Sequence, residues 1–111
     1  MTEKTTDIQV IPSSEEFYSA FERIFRECDL EQYIIPQYAG RFYVLYRYMA
    51  TEGRKFNITS ISRMEDVICR HFADSVAFAD VFEQGSSIID VGTGGGFPSL
   101  PLAIVRSDLH I

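Results

Sequence analysis

One segment limits the fold more than any other: Ile88-Ile89-Asp90-Val91-Gly92-Thr93-Gly94-Gly95-Gly96-Phe97-Pro98. Residues 86–91 form a short β-branched run stopped by glycines, which predicts a strand at about 87–91. Pro98 to Val105 reads as a helix, with both prolines in or beside its first turn. Leu109-His110-Ile111 looks like the first residues of another strand. Strand, glycine turn, helix and the start of a strand in series read as part of an α/β fold. In open sheets of this kind, ligands sit beyond the carboxyl ends of the strands. Glycines there permit unusual backbone angles and close approach of a ligand.

Spacing narrows the ligand. A dinucleotide fingerprint needs G-x-G-x-x-G, and counted from Gly92 its third glycine falls on Phe97. A phosphate loop needs G-K-[S/T], and no lysine lies near. What remains is an acid two places before G-x-G-x-G, or a tight glycine turn without a ligand.

The rest of the chain reads as helical. Ser13 and Glu16 have the spacing of a capping box. Phe17, Phe21, Ile24, Phe25 and Cys28 follow as one apolar stripe, predicting a helix over 14–28. Asp29 with Gln32 could open another helix, but Pro36 interrupts it. A longer helix is expected over 36–51, with Tyr38, Phe42, Leu45 and Met49 as its stripe and Gly53 as its stop. Ser62 and Glu65 suggest another capping box. Val67, Ile68, Phe72, Val76 and Ala79 then define the buried face of a helix over 64–82.

Three stretches occur in order: Phe56-Asn57-Ile58-Thr59, Arg70-His71-Phe72-Ala73-Asp74-Ser75, and the run from Asp90 through the glycine turn to Ile104. The turn resembles motif I of the class I S-adenosylmethionine-dependent methyltransferases. The series together resembles the bacterial glucose-inhibited division protein B family, over about residues 38–111. That family methylates guanine N7 in small-subunit (16S) ribosomal RNA. Two departures stand out: Glu52 and Gly53 replace the family's aromatic and Asn, and Ser99 replaces a small glycine.

The resemblance implies an N-terminal helical cap followed by the start of a class I (Rossmann-like) methyltransferase domain, cut short after its first strand and helix. The expected division is a loose tail at 1–12, the cap at 13–84, and an incomplete S-adenosylmethionine-binding domain at 85–111. It implies that the Gly92 backbone and the Phe97 position contact S-adenosyl-L-methionine. Gly94 and Gly96 would shape the turn, and Asp90 would orient it. The cofactor has no pyrophosphate, so a turn without positive charge suits it. No catalytic residue is required, because guanine N7 carries a lone pair and no proton at neutral pH; orientation does the work. His71 and Asp74, three apart, read as a brace between helix and turn rather than a catalytic pair.

Charge and composition fit these expectations. The net charge of −6 is uneven: residues 32–71 hold six bases against three acids, while both flanks are acidic. Arg41, Arg47, Arg54, Lys55, Arg63 and Arg70 are therefore the candidates for ribosomal RNA phosphates. Tyr43, Tyr46 and Tyr48 are candidates for base stacking, with helix packing as their simpler role. Cys28 and Cys69 fit neither a disulfide framework nor a zinc pattern, and read as reduced core filler in a cytoplasmic chain. No run of about 18 apolar residues predicts a membrane span. The ribose-binding acid of the methyltransferase class would lie past Ile111, so the chain reads as an N-terminal fragment, inactive alone. An uncovered strand at 86–91 would favour self-association through residues 86–111. The alternative is a non-catalytic helical module that binds RNA or protein, with a vestigial turn.

Overall fold

The computed structural model describes residues 11–52, 58–87 and 99–110. These form three main helices and one short one. They are α1 (Ser14–Glu27), α2 (Pro36–Glu52), α3 (residues 61–76) and α4 (Ser99–Val105). Short 3-10 turns lie at Glu31–Tyr33 and Ala79–Val81.

The capping box opens α1 as its spacing predicts. Glu16 N–H donates to Ser13 Oγ at 3.2 Å, and Ser13 N–H donates to Glu16 Oε1 at 2.8 Å. Phe17, Phe21, Ile24 and Phe25 of the predicted stripe are buried. Cys28 is not. The helix ends at Glu27 and Cys28 is its C-cap, so the stripe stops one member short. Asp29 then takes a left-handed conformation with φ 60°. The Leu30 N–H reaches back to the Phe25 carbonyl at 2.8 Å, and the Asp29 N–H to that of Arg26 at 3.1 Å. This is a Schellman C-cap, with buried Leu30 and Phe25 as its apolar pair. Asp29 therefore closes a helix rather than opening one, and Glu31–Tyr33 makes a single 3-10 turn before Pro36.

α2 packs on α1 through Phe42, Tyr46 and Met49. The expected stripe is thus shifted: Tyr38 and Leu45 are only half-buried, while Tyr46 is fully buried. The reason is polar. The Tyr46 hydroxyl donates to the Ile58 carbonyl at 2.7 Å, so a buried phenol is satisfied. Burial first, then neighbouring Tyr43 and Glu16, pushes its pKa up to about 12.

α3 begins earlier than predicted. Ser60, in extended backbone, caps it by accepting from Arg63 N–H at 3.2 Å. Ser62 lies inside the helix, and Glu65 instead pairs with Arg23 at 2.6 Å, so the expected Ser62–Glu65 box does not form. The middle of α3, Val67–Ala73, is a π-helical stretch. Met64, Ile68, Phe72 and Val76 repeat every fourth residue, and all are buried. In a regular α-helix a four-residue step drifts by about 40°. The wider i→i+5 turn lets that row stay on one face. Regular helix stops at Val76, and the Ala79–Val81 turn replaces the predicted continuation to 82.

The aromatic centre joins the three helices. Ring centroids lie 4.2 Å apart for Phe21–Phe25, 5.1 Å for Phe42–Phe72 and 5.5 Å for Phe17–Tyr46. Leu102 and Val105 of α4 belong to the same core, and Ile11 packs against it from the other end of the chain. Pro101 and Leu109 are also buried. Four apolar side chains of residues 99–110 thus face inward, while the strand at 86–91 expected to stand uncovered lies outside the described residues beyond Ser87. Among the described residues there is one parallel bridge, Ser87 with His110, and no strand. The predicted strand at 87–91 lies outside the described residues beyond Ser87.

Candidate cofactor site and its flanks

Asp90, Gly92, Gly94, Gly96 and Phe97, the expected cofactor contacts, lie outside the described residues. The structure describes what comes immediately before and after them. Ser87 and His110 pair in parallel, and the His110 N–H donates to the Ser86 carbonyl at 2.8 Å. The chain leaves the bridge at Ser87, passes through α4, and comes back to it at His110. This is the order of a strand–helix–strand crossover.

A guanidinium holds the two flanks together. Arg106 donates from Nε to Asp108 Oδ1 and from Nη2 to Asp108 Oδ2, both at 2.8 Å. The other side of the fork donates to the carbonyls of Ala79 and Phe82, the latter at 3.0 Å, and Nη2 also reaches Glu83 O at 3.3 Å. Asp108 in turn accepts from the Gly85 N–H at 2.9 Å. Gly85 has φ 77°, so this approach uses a residue free to adopt a left-handed backbone. The Arg106 hydrogen bond, then the Gly85 N–H, holds the Asp108 carboxyl well below the usual carboxylate range. The Asp108 hydrogen bond raises Arg106 in return. An Arg two residues before an Asp was the available signal, but its partners at 79–85 are distant in sequence.

His71 and Asp74 are both exposed on α3, and the Asp74 N–H donates to the His71 carbonyl. A contact from this pair to the glycine turn lies outside the described residues. Of the basic candidates, Arg41, Arg47, Arg63 and Arg70 are exposed, and Arg54 and Lys55 lie outside the described residues. Arg70 pairs with Asp66 at 3.5 Å, and the Arg47 guanidinium sits 5.9 Å from the Tyr43 ring centroid. The tyrosines separate clearly. Tyr46 is core, Tyr43 lies against Phe17 and Tyr18 at 5.3 and 5.7 Å, and Tyr48 is 62% exposed. Only Tyr48 of the three has a free face. Both cysteines are exposed free thiols, which corrects the expectation of core filler. Burial and nearby Cys69 push the Cys28 thiol upward. Among the described residues no helix is long and apolar enough to cross a membrane.

Relatives give this arrangement its class. A ribosomal RNA small subunit methyltransferase G from Geotalea uraniireducens is 39% identical over 72 residues, covering 65% of this chain and 33% of the relative. The protein of the same name from Clostridium perfringens is 36% identical over 94 residues, covering 82% of this chain and 39% of the relative. That of Clostridium beijerinckii reaches 54% identity over 61 residues, covering 53% and 26%. The chain thus spans about a third of the length of these relatives. No solved structure matches it. The relatives define a methyltransferase class. Within it the GidB family, rRNA small subunit methyltransferase G, matches residues 40–111, and the chain belongs to that family.

Proposed function

We propose that this chain serves S-adenosyl-L-methionine-dependent methylation of guanine N7 in small-subunit ribosomal RNA, in the cytoplasm. The observation that supports this most is the family match across residues 40–111, which contains the whole run from Asp90 to Phe97. In this reading residues 13–84 are a helical cap and 85–111 open the cofactor domain.

The residues present fit the cofactor chemically. No Lys or Arg lies between Ser87 and Ser99, and the cation nearest in sequence, Arg106, is committed to Asp108 and three carbonyls. A cofactor without a pyrophosphate needs no cation there. The Gly92 backbone and the Phe97 position would hold it, Gly94 and Gly96 would shape the turn, and Asp90 would orient it. When bound, S-adenosylmethionine supplies a methyl group activated by a positively charged sulfur.

The chain's own work is positioning. Guanine N7 presents an in-plane lone pair, so no side chain has to remove a proton. His71 and Asp74 are then positioning residues that brace α3 against the glycine turn, and catalysis rests on alignment. The RNA has to offer N7 from a loop or opened segment, because the deep groove of an A-form helix hides it. Arg41, Arg47, Arg54, Lys55, Arg63 and Arg70 are the proposed phosphate contacts.

The test is ultraviolet cross-linking of methyl-labelled S-adenosylmethionine to the chain, which captures weak binding. Gly92→Val should lose most of the label, because a branched side chain fills space the cofactor needs. Equal labelling of the two proteins argues against the turn as a cofactor site. It would leave the helical RNA- or protein-binding module as the better reading.

A further inference from the structure

We propose that the groove between α2 and α4 binds an unpaired base, with its phosphate, of single-stranded RNA. The proposal rests on RNA being the substrate, as argued above, and assigns part of that substrate to a surface. Arg41, Val44 and Tyr48 lie at i, i+3 and i+7 on α2, so they share one helix face. Leu100, Ala103 and Ile104 of α4 form the opposite wall of a groove of about 400 Å³. Val44 is 66% exposed, Tyr48 62% and Leu100 44%. Large apolar side chains gathered at one open site mark a binding surface more than scattered ones do.

Three observations select the occupant. The first is charge. The chain carries −6 overall, yet among the described residues no acid lines this groove, and the one acid of α2 is Glu52 at its far end. Among the described residues no carboxylate pairs with Arg41, so its guanidinium is available to a phosphate. The second is the aromatic face. Tyr48 is the only tyrosine of the trio with a free ring, and base–aromatic stacking beside a basic group is how single strands are held. The third is size. A groove of about 400 Å³ is within the roughly 300–1,000 Å³ of sites that take one small group such as a base. A second copy seated on the same face would also bring two Arg41 side chains to one small patch with no acid to answer them. The groove's α4 wall begins at Leu100, two residues after the glycine turn ends at Pro98.

The test is fluorescence anisotropy of a labelled single-stranded RNA of about ten nucleotides, titrated with the full chain over a range of salt. Tyr48→Ala should weaken binding about tenfold, the loss of one stacked base, with the salt slope unchanged. Tyr48→Phe should retain binding, since the ring remains. Arg41→Gln should weaken binding and lower the salt slope by about 0.7, the contribution of one phosphate contact on a single strand. Val81→Ser, at a residue 69% exposed and outside the groove, should change nothing. Circular dichroism of each variant checks that it is folded. Equal RNA affinity for wild type and Tyr48→Ala overturns the proposal. So does a dimer, seen by sedimentation, that Tyr48→Ala dissolves while RNA binding stays the same. The outcome is separable from that of the methyltransferase reading. RNA binding that depends on Tyr48 without cofactor labelling sustains the groove alone. Cofactor labelling with RNA affinity indifferent to Tyr48 sustains methyl transfer alone.

Discussion

Asp29 shows how much a single backbone angle can matter. It holds φ 60° at the position that closes α1, where glycine is the usual residue. A left-handed conformation costs a residue with a Cβ roughly 1–2 kcal/mol. The Schellman hydrogen bonds and the Leu30–Phe25 burial keep it there. Asp29→Gly relieves that strain but gives back some entropy in the unfolded chain. The net expectation is a gain of about 0.5–1 kcal/mol, read as a higher urea midpoint with unchanged slope. A lower midpoint would show that the Asp side chain supports the turn. Glycine is the signal a reader looks for at a helix end. With Asp in its place, the sequence looked like a helix start instead.

At the scale of elements, the junction around residues 79–86 and 106–110 depends on one ion pair. Asp108 sits well below its ordinary value of 3.8 because Arg106 and the Gly85 N–H stabilise its charged form. A carboxyl depressed in the folded state adds stability that is fully present above its unfolded pKa. That stability is lost as pH falls through the folded value. Unfolding in urea should therefore become easier as pH falls below the ordinary carboxyl value of 3.8 and go on easing toward the depressed folded value. Asp108→Asn should lower the midpoint at neutral pH and flatten this acid dependence. An unchanged acid slope in the variant would place the effect on other carboxylates. The π-helical stretch belongs to this scale too. The four-residue row from Met64 to Val76 is visible in the sequence, yet reading it with a 3.6-residue period hides the widened turn.

For the molecule as a whole, one core runs from Ile11 to Val105. Leu102 and Val105 of α4 pack in it with α1, α2 and α3. A chain shortened to end at Glu83 loses both. Fully burying a side chain of this size is worth about 1.5–3 kcal/mol, so the loss is comparable with the whole stability of a small domain. The shortened chain should unfold at a clearly lower urea concentration, with a broader transition. An equal midpoint would mean that the three helices hold together without α4. The sequence by itself determined what depends on neighbours a few residues away. The Ser13–Glu16 cap, the α1 and α2 helices to within a residue, and the motif series that marks the family were all readable, because each is a spacing along the chain. Tertiary structure alone decided the rest. It set which tyrosine is buried, that Glu65 pairs with Arg23 instead of capping α3, that Arg106 ties residue 108 to residues 79–85, and that Arg41 and Tyr48 meet α4 across a groove. The physical reason is common to all four. Each depends on a partner brought close by packing, and no local periodicity records which distant residue that partner is.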